Sequence, residues 1–276
     1  MNTDDKLSAI LEKLNIEYGE SRKLTVEEMS QKQCDLYNNS VGNLNEYDGY
    51  DCDVCKNKGF IARVDEHGYQ VHRYCKCKKI RDTLRRIKQS GLSDVLEDYT
   101  FNKYKANEPW QKTIKEIAQA FCNDDEAKWF YIGGQRGSGK THLCTAIAEH
   151  YIKSGYDVKY MLWVDESKRL KSLVMDCREY QEQIEQYKNV DVLYIDDFYK
   201  VKDGDVPTSA DINLAFEILN YRLSSRDKIT IISSEWTLGE MLNFDESVMS
   251  RINKKVGRYK INIAKDKKKN YRLKDL

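Results

Sequence analysis

Gly134-Gln135-Arg136-Gly137-Ser138-Gly139-Lys140-Thr141 follows the spacing G-x-x-x-x-G-K-[ST], which suits it to hold a polyphosphate. Glycines let backbone N–H groups curl around phosphate oxygens with no Cβ in the way. A helix starting at Lys140 adds partial positive charge at the same point. Lys140 is placed to reach the β- and γ-phosphates, and the Thr141 hydroxyl to ligate Mg²⁺. The flanks agree: Trp129-Phe130-Tyr131-Ile132 reads as a buried strand, and Leu143, Ala146, Ile147 and Tyr151 recur at helical spacing. The expectation is a nucleoside triphosphate site.

Such a site needs an apolar strand ending in an acid. Val190-Asp191-Val192-Leu193-Tyr194-Ile195-Asp196-Asp197 supplies one a little under sixty residues downstream. Asp196 is the candidate carboxylate on the magnesium side, and Asp197 the candidate that polarises an attacking water. Guanine recognition by Asn-Lys-x-Asp is not offered by Asn253-Lys254-Lys255-Val256, so ATP is the expected ligand.

A second cluster could bind metal. Cys52-x-x-Cys55 and Cys75-x-Cys77 are two close thiol pairs separated by nineteen residues. Paired knuckles of this kind converge on a tetrahedral, structural Zn²⁺. Segments 60–64 and 69–74 would form a hairpin between the knuckles. His67 and His72 are possible substitutes that a four-cysteine site does not need. Cys34, Cys122, Cys144 and Cys177 fall outside the spacing, the last three in expected helices.

These groups must be carried by the remaining elements. Leu7, Ile10, Leu11 and Leu14 mark a short amphipathic helix, and residues 78–90 a basic one. Residues 91–107 read as a linker. Strands are expected near 129–133, 157–163, 191–196, 228–233 and 256–263. Helices are expected near 140–153, 166–187, 209–224 and 237–242, the third burying Ile212, Ala215, Phe216, Leu219 and Leu223. Alternation of this kind implies a parallel sheet with helices on both faces. The expected organisation is therefore a small N-terminal zinc-binding α+β domain (1–90), a linker (91–107) and an α/β P-loop domain with a basic tail (108–276).

The net charge of +1 implies no global attraction to nucleic acid or membrane. Its distribution is uneven. Residues 1–51 carry 5 basic and 11 acidic side chains, residues 52–88 carry 11 and 4, and residues 253–276 carry 10 and 2. Different segments should therefore meet different partners. No apolar run approaches a membrane span and the start lacks a signal-peptide pattern, so a cytoplasmic location with reduced cysteines is expected.

In combination, the cysteine cluster, the run Tyr99-Thr100-Phe101-Asn102-Lys103-Tyr104, the phosphate loop continuing into His142-Leu143, and Ile195-Asp196-Asp197 resemble the DnaC/DnaI replicative helicase loaders. The resemblance spans roughly residues 50–260. It implies an AAA+ ATPase whose N-terminal part grips a DnaB-type helicase and whose action delivers that ring onto single-stranded DNA. Met249-Ser250-Arg251-Ile252 is similar to the family's arginine-finger box, implying self-association with Arg251 reaching a neighbour's γ-phosphate. Ile229-Thr230-Ile231-Ile232-Ser233-Ser234-Glu235 sits where the family places sensor 1, usually Thr-Ser-Asn. Ionised Glu235 cannot donate a hydrogen bond as Asn does, which leaves Ser234 as the substitute and puts hydrolysis in question.

Alternatives stand beside this reading. An IstB-like transposition helper shares the ATPase half but normally lacks the cysteine module. A nonhydrolytic ATP-binding adaptor would fit the Glu235 departure, whereas Lys140, Thr141, Asp196 and Asp197 argue for hydrolysis. A replication initiator would need a lid and a DNA-binding domain after Arg251. For single-stranded DNA, the candidate contacts are the basic helix Lys78–Lys88 and the basic tail with Tyr259 and Tyr271 stacking on bases.

Overall fold

The computed structural model describes residues 24–202 and 205–273, so the amphipathic segment around Leu7–Leu14 lies outside the described residues. Two compact units divide between Arg81 and Asp82.

In the first unit, helix α1 (Val26–Asn39) opens with a capping box in which Thr25 and Glu28 satisfy each other's backbone N–H. Asn38 near its end brackets Ala62, donating to its carbonyl at 2.9 Å and accepting its N–H at 3.0 Å. This fixes the helix on the antiparallel hairpin of β1 (Phe60–Val64) and β2 (Gln70–Tyr74), which turns at Gly68. Short helix α2 (Leu44–Asp48) precedes the first cysteine pair, and α3 (Cys77–Ser90) starts on the last cysteine. Arg81 joins them, its guanidinium bound to Asp48 and Asn57.

The second unit is built on a five-stranded parallel sheet: β3 (Trp129–Gly134), β4 (Val158–Leu162), β5 (Val192–Asp196), β6 (Ile229–Ser234) and β7 (Lys260–Ile263), in spatial order β4-β5-β6-β3-β7. Both faces are buried, so the strands read as continuous apolar runs. Trp129, Tyr131, Leu193, Ile195 and Ile232 face one core. Phe130, Ile132, Val192, Tyr194 and Ile231 face the other. Helices α4 (Pro109–Cys122) and α5 (Lys140–Lys153) fill the second core. The first is closed by α6 (Trp163–Ser172), α7 (Cys177–Asn189), α8 (Ser209–Ser224), α9 (Leu238–Met241) and α10 (Glu246–Val256).

Several expectations are corrected. The segment 91–107 is no linker: Leu92, Leu96 and Tyr104 are buried in the second core, because short turns fold the chain back onto the sheet. The helix expected over 166–187 is two helices, with Asp176 capping the second through the Glu179 N–H. The final strand begins at Lys260; Val256 ends helix α10, and Gly257–Tyr259 form a 3-10 turn between them. On α8, Phe216 is 41% exposed and Leu214, Ala215, Ile218, Leu219 and Arg222 turn inward. Ala215, Leu219 and Leu223 of the expected face stay buried, and Arg222 is buried among backbone acceptors. Its guanidinium donates to the carbonyls of Tyr187, Lys188, Val190, Asp191 and Ile229, and to Thr230 Oγ1.

Candidate nucleotide site and cysteine cluster

The loop Gly134–Gly139 joins the end of β3 to the start of α5. Gly134 adopts φ +108°, and a Cβ there would meet the Ile263 carbonyl oxygen at 2.0 Å, so β7 can lie this close only against glycine. Gln135 N–H donates to that same carbonyl at 3.1 Å. Lys140, the first residue of α5, is buried and turns its ammonium back to the carbonyls of Gly134 (3.0 Å) and Gln135 (2.7 Å). Burial brings its pKa down to about 8. The loop thus presents helix-end N–H groups and one constrained cation, which is the donor set for phosphate oxygens.

Asp196 closes β5, and adjacent elements converge on it. Thr141 Oγ1 donates to its Oδ1 at 3.2 Å, Tyr160 Oη on β4 to its Oδ2 at 3.3 Å, and Ser233 Oγ on β6 to its Oδ1. Burial raises the Asp196 pKa and the nearby charge of Asp197 adds to the rise, while the hydrogen bonds from Ser233, Tyr194 and Thr141 oppose it. A carboxylate beside a hydroxyl in a buried setting is suited to a hydrated Mg²⁺ shared with phosphate. Asp197 lies past the strand end at φ +51° and pairs with Lys200 Nζ at 2.7 Å.

At the end of β6 the expected roles are redistributed. Ser234 Oγ donates to the Phe198 carbonyl at 2.6 Å, so the hydroxyl is spent on the turn after β5. Ser233, which the sequence reading passed over, contacts Asp196 instead. Glu235 accepts from Arg136 of the phosphate loop at 2.6 Å and pairs with Lys200 at 3.3 Å. Arg251 is exposed on α10, bonded to Asn220 on α8, and is not among the residues lining the cavity.

That cavity, about 430 Å³, is lined by Arg136–His142, Asp197, Lys200 and Glu235. Its volume falls in the range of small-molecule sites. Tyr99, Lys103, Tyr104, Lys105, Tyr271 and Arg272 complete the wall. His142 stacks on Tyr99 at 5.0 Å between centroids and meets Tyr104 edge-on at 5.1 Å. Nothing local in the segment 99–105 marks it as a wall, since it arrives there only by folding back onto α5.

Two aromatics proposed for base stacking are elsewhere engaged. Tyr259 is buried against Phe121 and donates to Asp124 Oδ2 at 2.6 Å, which corrects its assignment to an exposed tail. Tyr271 donates through its hydroxyl to the Lys105 carbonyl (2.6 Å) and through its N–H to Gly137 O (2.9 Å).

In the first unit the four sulfurs of Cys52, Cys55, Cys75 and Cys77 lie within 4.8 Å of one another, and all four residues are buried. Cys52 and Cys75 Sγ are 3.8 Å apart, Cys55 and Cys77 Sγ 3.6 Å. Zn–S bonds of about 2.3 Å in a tetrahedron put sulfurs about 3.8 Å apart, so the donor set fits zinc. The knuckle is held by Lys56 and Asn57 in the left-handed region, by Cys52 N–H donating to Asn57 Oδ1 (2.8 Å), and by Gly59 N–H directed at Cys55 Sγ (3.3 Å). Burial pushes the Cys77 thiol up to about 12, a cost that a bound cation offsets. His67 and His72 take no part. Cys144 is buried in α5, Cys122 half-buried at the end of α4, and Cys177 exposed.

Among the described residues no helix is long and apolar enough to cross a membrane.

The chain is 30% identical over 214 residues to the phage-like element PBSX protein XkdC of Bacillus subtilis (strain 168), spanning 74% of this chain and 78% of that protein. It is 30% identical over 213 residues to the uncharacterized protein YqaM of the same organism, spanning 73% and 66%. Its fold matches the crystal structure of DnaI with a TM-score of 0.50 at 19% identity, over 62% of this chain and 93% of that one. The five-stranded parallel sheet flanked by helices therefore shares the fold of that structure, as the sequence resemblance implied. The sequence profile of the IstB-like ATP binding proteins matches residues 57–274. With the phosphate loop, its partner acid and their surrounding cavity in place, this chain belongs to the IstB-like ATP-binding protein family.

Proposed function

We propose that the chain is an ATP-hydrolysing helicase loader, gripping a DnaB-type replicative helicase with its cysteine-bearing unit and delivering it onto single-stranded DNA. The observation that carries this is the union, in one chain, of a four-sulfur cluster of zinc geometry with a DnaI-like nucleotide-binding unit. In this reading Cys52, Cys55, Cys75 and Cys77 hold Zn²⁺ and replace a core that so small a unit cannot build. Gly134 to Thr141 bind the triphosphate of ATP, Thr141 and Asp196 hold Mg²⁺, and Asp197 orients the attacking water. Exposed Arg251 serves the site of a neighbouring copy.

The test is capture of the DnaB-type helicase by the intact chain and by a chain lacking residues 1–81. The cut belongs at Arg81 because Leu92 and Leu96 are part of the second core. Capture lost on deletion, with ATP binding kept, supports the loader reading. Capture in no nucleotide state removes it. The family match to IstB-like proteins then favours a transposition helper, tested by binding to a transposase. Lys140→Ala should abolish ATP binding in either case, and undiminished affinity would sink the site assignment.

A further inference from the structure

Glu235, just past β6, lines the same cavity as the phosphate loop, and its carboxylate, which only accepts hydrogen bonds, would repel a phosphate bound there. The structure offers a replacement. The turn after β5 carries two non-glycine residues in the left-handed region, Asp197 (φ +51°) and Tyr199 (φ +57°), a strained arrangement. Such strain persists only where surroundings over-determine it. Here Phe198 N–H donates to Ser233 O at 2.9 Å, Ser234 Oγ to Phe198 O at 2.6 Å, Trp236 Nε1 to Tyr199 O at 2.9 Å, and Tyr199 Oη to Asp245 at 2.8 Å. The pinned turn delivers Lys200 into the cavity that Lys140, Thr141 and Asp197 line.

We propose that Lys200 is the sensor of the terminal phosphate, its ammonium donating to a γ-phosphate oxygen while Glu235 acts as the residue that positions it. This rests on the ATP-binding reading above. An ammonium has three donors. One goes to Asp197 Oδ2 (2.7 Å) while the ammonium also pairs with Glu235 Oε1 (3.3 Å), which leaves donor capacity for phosphate. The other Glu235 oxygen is held by Arg136, so the carboxylate is fixed between two cations and cannot swing away. The neutral amide donor of the loader pattern is thus exchanged for an acid–base pair whose outer member carries the positive charge. A charge-assisted bond to phosphate is roughly twice as strong as a neutral one.

The experiment measures dissociation constants of a nonhydrolysable ATP analogue and of ADP, both with Mg²⁺, for the wild type and Lys200→Met, which keeps the stem and removes the charge. The wild type should favour the triphosphate. The variant should lose about tenfold in affinity for it, as expected for a charge-assisted bond, with ADP affinity kept as the control for folding. Adding Glu235→Asn to Lys200→Met should restore part of the preference, because Asn supplies the donor. If Lys200→Met fails to bind ADP, Glu235→Ala is the second variant, expected to lower triphosphate preference by unpinning Lys200. Equal loss for both nucleotides in Lys200→Met and Glu235→Ala alike would overturn the proposal in favour of a structural ion pair. A triphosphate preference left intact in Lys200→Met would overturn it too. A wild type binding neither nucleotide would instead refute the ATP-binding reading.

Discussion

The hydroxyl of Ser233, on β6, donates to Oδ1 of Asp196, the last residue of the neighbouring strand β5. Thr141 donates to the same oxygen and Tyr160 to Oδ2, so three hydroxyls orient the carboxylate that would hold magnesium. Ser233→Ala should therefore leave the nucleotide site formed but loosely aimed. The magnesium concentration for half-maximal ATP binding or turnover should rise about tenfold, the usual scale for losing a hydrogen bond to a metal-side carboxylate. Ser234→Ala, whose hydroxyl serves Phe198 O, should leave the magnesium requirement unchanged. A magnesium titration of the two variants that gives the same curve would remove Ser233 from the site.

Lys140 predicts a proton linkage. Its folded pKa is lowered to about 8 from 10.5 by burial. The folded chain therefore binds fewer protons than the unfolded chain between these values. The cost of burying the charge is full below about pH 8 and fades as pH rises through the window. Phosphate needs the ammonium form. Nucleotide binding above about pH 8 should thus take up a proton, with affinity falling as pH rises. Calorimetry in buffers of different ionisation enthalpy reads this directly; no uptake at pH 9 would contradict it.

Cys52→Ser with Cys55→Ser should abolish zinc content and unfold the first unit, because each knuckle is organised around its sulfurs. ATP affinity should remain, since the phosphate loop and its supports lie in the second unit. One zinc per chain retained after the double change, by atomic absorption, would exclude the four-cysteine site.

Arg222 ties the end of α7 to the starts of β5 and β6 through five backbone carbonyls. Arg222→Leu should cost about 3 kcal/mol or more, because several buried acceptors lose their donor together. Urea denaturation of the isolated variant tests this, and a loss below about 1 kcal/mol would show that water replaces the guanidinium.

Arg251→Ala should leave ATP binding by the single chain untouched and reduce turnover in the assembly about 10³-fold, the scale of an arginine supplied in trans. Mixing it with Lys140→Ala chains should restore part of the activity, since the latter still offer Arg251 to a neighbour. Unchanged turnover in Arg251→Ala would reduce the residue to its bond with Asn220.

The two runs of contiguous chemistry were legible in one dimension for a local reason. A phosphate loop is a property of eight adjacent residues whose glycines fix the backbone, and the strand before it and helix after it show their own periodicity. The cysteine pairs were legible for the same reason, each pair being one knuckle. The identity of Asp196 followed from its place at the end of an apolar run. By contrast, Phe216 was assigned inward because periodicity treats every arginine as solvated, and Arg222 is not. The segment around Leu92 and Tyr104 read as linker because its turns break any period, although its apolar residues belong to the core.

What adjacent residues could specify was thus the phosphate loop, the apolar strand ending in Asp196, the sulfur knuckles and the alternation of strand and helix. What required the folded chain was every relationship across strands. Ser233 and Asp196 are 37 positions apart, and Glu235 and Arg136 are 99. In a parallel sheet the spatial order β4-β5-β6-β3-β7 is set by helical crossovers and by the burial of both faces, not by sequence neighbourhood. Which residue past β6 faces the cavity, and which cation it holds, depends on that order and on a turn after β5 whose strain only its packed surroundings sustain.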